Sequence, residues 1–221
     1  MRAKRLSLYL YAGILIGAVG VGCGAAQESP DAQVLREATV TLVPGHCMGV
    51  VVEDGLHVMT AAHCVDAGQV NIPIELSDGE RLTGTQMLVD EGQDIAVYRL
   101  DTVARVPALE IAPELPRPGE GLLFASRSDL ASEPQEVWLE RLGRCPSLPG
   151  VPQALFTTLR GVKGDSGSPV VDLDMRVVGL VHGGAACSIA APTAAFAPVV
   201  RQLAEEAQST EMARKEPARV R

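Results

Sequence analysis

The chain has 221 residues, of which 47% are hydrophobic, enough apolar side chain for one large or two small folded units and too much for disorder over most of its length. Aromatic residues make up only 3%, so the core has to be built from Val, Leu, Ile and Ala, a composition that suits many short strands. The formal net charge is -8 with no basic stripe in the body, which argues against nucleic acid as a partner.

From the amino terminus, Arg2, Lys4 and Arg5 precede an apolar run from Leu6 to Val21 that ends in small residues. That pattern predicts a signal peptide over residues 1–22, the run being short for a membrane anchor. The segment Gly20-Val21-Gly22-Cys23 resembles a bacterial lipoprotein cleavage site, in which Cys23 becomes the lipidated first residue and attaches the chain to a membrane. Gly24-Ala25-Ala26 would also serve an ordinary signal peptidase, and both readings stay open, with lipidation favoured. Lipidation would account for the odd count of five cysteines by leaving Cys47, Cys64, Cys145 and Cys187 as an even set. Either way the expectation is an exported protein: secreted, periplasmic or held on the cell envelope. Residues 23–36 are small and polar around Pro30 and read as a flexible tether.

Strand signals follow. Segments 38–43, 48–53, 56–60, 70–76, 81–88 and 94–100 alternate or run apolar, with Asp54-Gly55 as a two-residue hairpin signal between the second and third. Together they predict one closed or nearly closed barrel over residues 37–112. Pro107, Pro113, Pro116 and Pro118 mark a crossing. Strands are expected again at 121–126, 135–142, 153–158, 169–173 and 176–181, in a second unit spanning 113–207. Residues 198–207 read as a terminal helix and 208–221 as a loose tail.

The chemistry concentrates in Gly164-Asp165-Ser166-Gly167-Ser168-Pro169, where a serine between glycines on a tight turn can present its hydroxyl as a nucleophile. Such a hydroxyl is weak at neutral pH and needs a base and a carboxylate to orient that base. His63, in Thr60-Ala61-Ala62-His63-Cys64, follows a predicted strand, and Asp94 opens another. The order His, Asp, Ser is one of the known chain orders for this triad. Each residue alone has a duller reading, as a surface histidine, a solvated aspartate or a glycine-serine turn; the joint pattern is what carries the chemistry.

With these surroundings the chain resembles the trypsin-like (chymotrypsin-fold) serine peptidases, from about Ala38 to about Ala204. Gly179-Leu180-Val181-His182-Gly183-Gly184-Ala185-Ala186-Cys187 resembles the family strand that lines the primary specificity pocket. The resemblance implies an all-β protein of two Greek-key barrels with the active site between them and a short carboxy-terminal helix. It also implies His63 as base, Asp94 as its orienting carboxylate, Ser166 as nucleophile, and the amides of Gly164 and Ser166 as oxyanion donors. Arg160, His182, Gly183 and Gly184 fall on pocket positions. Arg160 stands where enzymes that cut after Lys or Arg carry an aspartate, so such a preference is not expected. A Cys47–Cys64 disulfide is implied, pinning the base-bearing turn to the preceding strand. Cys187 matches a cysteine whose usual partner lies where this chain has Val162, which leaves Cys145 to pair with it. The family's activation sequence is missing after Arg36, so Asp165 must find a partner other than a new amino terminus.

His46, His57 and His182 compete with His63 for the role of base, but none has its surroundings. His46-Cys47 and His63-Cys64 suggest zinc only weakly, because adjacent strand residues point to opposite faces. The expectation is a monomeric endopeptidase acting on polypeptides without cofactor or metal. The rivals are a noncatalytic peptide- or envelope-binding protein of the same fold and an esterase using the same triad.

Overall fold

A computed structural model of the chain describes residues 29–44, 47–126, 134–183 and 188–215. The signal-peptide segment 1–22, Cys23, His46, Gly184 and Cys187 lie outside the described residues.

A helix, α1 (Pro30–Ala38), leads into six strands: β1 (Thr39–Leu42), β2 (Cys47–Val52), β3 (His57–Thr60), β4 (Asn71–Glu75), β5 (Arg81–Asp90) and β6 (Ile95–Leu100). Six more follow: β7 (Gly121–Phe124), β8 (Gln135–Gly143), β9 (Ala154–Thr157), β10 (Pro169–Val171), β11 (Val177–Val181) and β12 (Ile189–Pro192), then a helix, α2 (Ala197–Lys215). They close two antiparallel barrels, with ring orders β1-β2-β3-β6-β5-β4 and β7-β8-β9-β12-β11-β10. In each ring three consecutive strands are followed by a fourth that returns beside the first, a Greek key used twice. The repeat is one of topology, since no sequence repeat accompanies it.

The strands that face both barrels explain why they read as apolar runs rather than clean alternations. On β2, Val51 fills the first barrel while Val50 and Val52 point the other way, into a core shared with Val171, Val177, Leu180 and Ile189 of the second barrel. Likewise, Ala96, Tyr98 and Leu100 of β6 turn inward and Ile95 and Val97 turn to the shared core. Successive side chains take opposite faces, so a strand buried on both sides needs apolar residues throughout. The second barrel is filled by Leu122, Phe124, Val137, Leu139, Leu155 and Val170. The Pro-rich crossing adds a parallel bridge to each unit, Val52 with Leu109 and Ile111 with Val177.

Four expectations need correction. The tether is helical from Pro30: Ser29 Oγ accepts the Ala32 N–H at 3.2 Å, a capping bond, and proline suits the first turn. Ala32, Leu35 and Ala38, spaced by three, are buried, and the last two join the shared core. Strand β12 was not expected, because Ile-Ala-Ala-Pro is too short and too poor in β-branched residues to signal one. Pairing with β11 and β9 makes it a strand. The tail is helical as far as Lys215. Finally, Val52 pairs with His57, so the loop between β2 and β3 is Glu53–Leu56, not two residues, with Glu53 at φ 54° and Gly55 at φ 75°.

Cys47 and Cys64 form a disulfide that ties the start of β2 to the turn after β3. Cys145 is disulfide-bonded as well, and its expected partner, Cys187, is outside the described residues.

Candidate active site

His63 lies in a single 3-10 turn, Ala62–Cys64, directly after β3, closed by Cys64 N–H to Ala61 O and Val65 N–H to Ala62 O. The Cys47–Cys64 bond holds the next residue. Asp94 ends the loop between β5 and β6 with φ 56°. That left-handed backbone is costly for most side chains and tolerated best by Asn and Asp. The loop is braced on both sides. Asp90 Oδ1 accepts the Gln93 N–H at 2.9 Å, and Gln93 Nε2 donates to Gly150 O, on the second barrel, at 3.2 Å. A Cβ at Gly150 would come within 2.2 Å of Gly92 O, so the two backbones meet where no side chain fits.

Asp94 is buried and its carboxylate is fully engaged. Oδ1 accepts the His63 backbone N–H at 2.9 Å and faces His63 Nδ1 at 3.0 Å, and Oδ2 lies 2.9 Å from the same Nδ1. Oδ2 also meets Nδ1 of His182. Burial alone would raise the Asp94 pKa, but hydrogen bonds from His182, then from His63 side chain and backbone, and the charge of His63 reverse the direction. The result is a value lowered from 3.8 to about 2. The carboxylate is ionised at neutral pH and fixes the proton of His63 on Nδ1, leaving Nε2 as acceptor.

Ser166 lies on the turn before β10. Both barrels seat that turn: from the first, Met48 N–H donates to Ser166 O at 2.8 Å, and in the second, Gly167 N–H donates to Val181 O at 2.8 Å. Gly167 has φ 82°, and a Cβ there would lie 2.1 Å from Met48 O and 2.6 Å from Thr60 Oγ1. Only glycine fits so close to β2 in that conformation. The Asp165 side chain turns inward. Its carboxylate accepts the Ser126 hydroxyl at 3.0 Å and the Val162 N–H at 2.5 Å. These are the partners that replace a new amino terminus. Among the described residues, the N–H groups of Gly164 and Ser166 donate to nothing, whereas the Asp165 N–H between them donates to Val162 O.

His63, Ser166 and His182 line one cleft of about 590 Å³, together with Gly164, Gly183, Leu159, Lys163, Val181 and Ile189. Ser166 Oγ donates to His182 O at 3.5 Å, and among the described residues it forms no hydrogen bond to His63. Arg160 is exposed and does not line the cleft. The cation on its wall is Lys163, three positions later, displaced there by the path of the loop before Ser166. His182 lines the cleft but sends its imidazole to Asp94, a role no spacing rule in the sequence signals. His57 is fully buried beside Asp54 Oδ1 at 2.9 Å, away from the cleft.

Among the described residues two groups of metal-type donors converge here, and each has donor atoms already engaged. The sulfurs near His63 form the disulfide, and the Nδ1 atoms of His63 and His182 are spent on Asp94.

The family model for the trypsin-like peptidase domain matches residues 47–180. No curated protein matches the chain. Among solved structures, one described as "Crystal structure of Rv3671c protease, inactive form" superposes with a TM-score of 0.59 at 22% identity, covering 80% of this chain and 92% of that one. At that identity the likeness is one of fold.

Proposed function

The chain belongs to the trypsin-like peptidase domain family, and from that premise we propose that it is an exported serine endopeptidase that cuts peptide bonds through an acyl-enzyme. The observation that carries the reading is Asp94 bonded to His63 Nδ1 from the first barrel, with Ser166 of the second barrel on the same cleft.

In the reaction the Ser166 hydroxyl leaves His182 O for His63 Nε2 as substrate enters. Oγ attacks the carbonyl carbon and its proton passes to Nε2, making an imidazolium that Asp94 stabilises. The amides of Gly164 and Ser166, which donate to nothing among the described residues, receive the oxyanion in this reading, donors worth roughly 3 to 4 kcal/mol each. The imidazolium then protonates the leaving amine, and water repeats the sequence on the acyl-enzyme. A disulfide is compatible with export, and among the described residues no helix is long and apolar enough to cross a membrane.

The cleft also bears on substrate choice. Its described walls offer Leu159, Val181 and Ile189, one cation in Lys163 and no carboxylate. A basic side chain would find no partner there, so an apolar residue at the cut is expected.

The test is a fluorophosphonate probe applied to the mature protein and to Ser166→Ala, followed by a mixed-sequence peptide library. Labelling of the wild type alone, with cuts after apolar residues, supports the reading. Equal labelling of both proteins removes Ser166 from it, and absence of labelling in both points to the noncatalytic rival.

A further inference from the structure

The mechanism uses one imidazole, yet Asp94 serves two. His182 follows directly on β11 of the second barrel, and its Nδ1 faces Asp94 Oδ2, the oxygen that also takes His63 Nδ1. An ionised carboxylate only accepts, so the His182 proton resides on Nδ1. The two rings stand edge to face, centroids 5.2 Å apart and planes at 82°. The backbone of the same residue accepts the Ser166 hydroxyl. One residue thus touches the carboxylate and the nucleophile and abuts the base.

We propose that His182 is a positioning residue, which clamps the Asp94 carboxylate from the opposite barrel and must be neutral for His63 to work. Asp94 sits at the end of a loop, and the His63 donors alone come from one side. A donor on Oδ2 from the residue after β11 fixes the plane of the carboxylate, and with it the plane of the His63 ring. The charge requirement follows from the same contact. A protonated His182 would draw the carboxylate to itself and set a positive ring beside the imidazolium that His63 must become. Among the described residues, the charged or titratable groups around His182 are Asp94 and His63, Lys163 along the cleft, and Glu91 on the opposite side. The kinetic part of this inference rests on the peptidase reading, whereas the hydrogen-bonding part stands apart from it.

The experiment compares wild type, His182→Asn, which keeps an N–H donor without a titrating ring, and His182→Ala. Low-field proton spectra at neutral pH are expected to show two hydrogen-bonded imidazole protons in the wild type and one in both variants. On a peptide substrate, His182→Ala should lose about 10- to 100-fold in kcat with KM unchanged, the worth of one hydrogen bond to a charged group. His182→Asn should restore most of it. The acid limb of log kcat/KM should have a slope approaching two in the wild type and one in His182→Asn. A single low-field proton that persists in both variants, or acid limbs of equal slope, overturns the proposal. If the protein cleaves no peptide, the peptidase reading fails and the spectra still decide the role of His182.

Discussion

Replacing Gly167 by alanine tests whether the first barrel seats the Ser166 turn of the second. Two costs arise. The residue lies at φ 82°, where a Cβ costs roughly 1 to 2 kcal/mol. The new methyl would also lie 2.1 Å from Met48 O, a backbone atom of β2 that cannot swing aside, and overpacking of that kind adds roughly 1 to 3 kcal/mol. Gly79 supplies the control: its φ is 87° but a Cβ there meets nothing within 4 Å, so only the first cost applies. At roughly 2 to 4 °C per kcal/mol for a protein of this size, thermal unfolding should fall by about 4 to 20 °C in Gly167→Ala and about 2 to 8 °C in Gly79→Ala. Fluorophosphonate labelling should drop in Gly167→Ala alone, because relieving the contact moves Ser166. Equal losses of Tm in the two variants, with labelling of Gly167→Ala intact, would refute the argument.

Asp94→Asn should lower kcat by about 10⁴-fold with little change in KM, because an amide holds the wrong tautomer of His63; steady-state kinetics on a peptide substrate decide this. Asp94 also links folding to pH. Its folded pKa is lowered from 3.8 to about 2, so its stabilising contribution is complete above the unfolded value and is lost as pH falls from about 4 toward 2. The stability difference between wild type and Asp94→Asn, measured by denaturant midpoint, should shrink across that window. Leu35→Ala removes a fully buried side chain of α1 and should cost about 2 to 5 kcal/mol in urea unfolding, where a mere tether would cost nothing. Cys64→Ser opens a loop with a sequence separation of 17 and should cost about 3 kcal/mol, with loss of labelling as the His63 turn loosens.

The first barrel was legible because strands such as Cys47–Val52 carry unbroken β-branched or apolar runs, and such runs survive any tertiary context. The turn around Ser166 was legible for the opposite reason, since glycines flanking a serine are demanded locally. Helix α1 leaves little local signal because two of its three buried contacts are alanines, whose burial depends on what packs against them. Strand β12 leaves none because two neighbours make Ile-Ala-Ala-Pro a strand, not its own propensity. At the site, counting back from Ser166 points to Arg160, but the turn brings Lys163 to the cleft. The imidazole of His182 reaches Asp94 across 88 positions of sequence, and no local pattern encodes a contact so remote.

The valines at 50 and 52, with Ile95 and Val97, leave the first barrel with a second greasy side. Nicking the polypeptide within the proline-rich crossing would therefore yield not two free-standing modules but a pair of sticky fragments. Mixed promptly they should find each other and restore a working cleft, and kept apart each should clump.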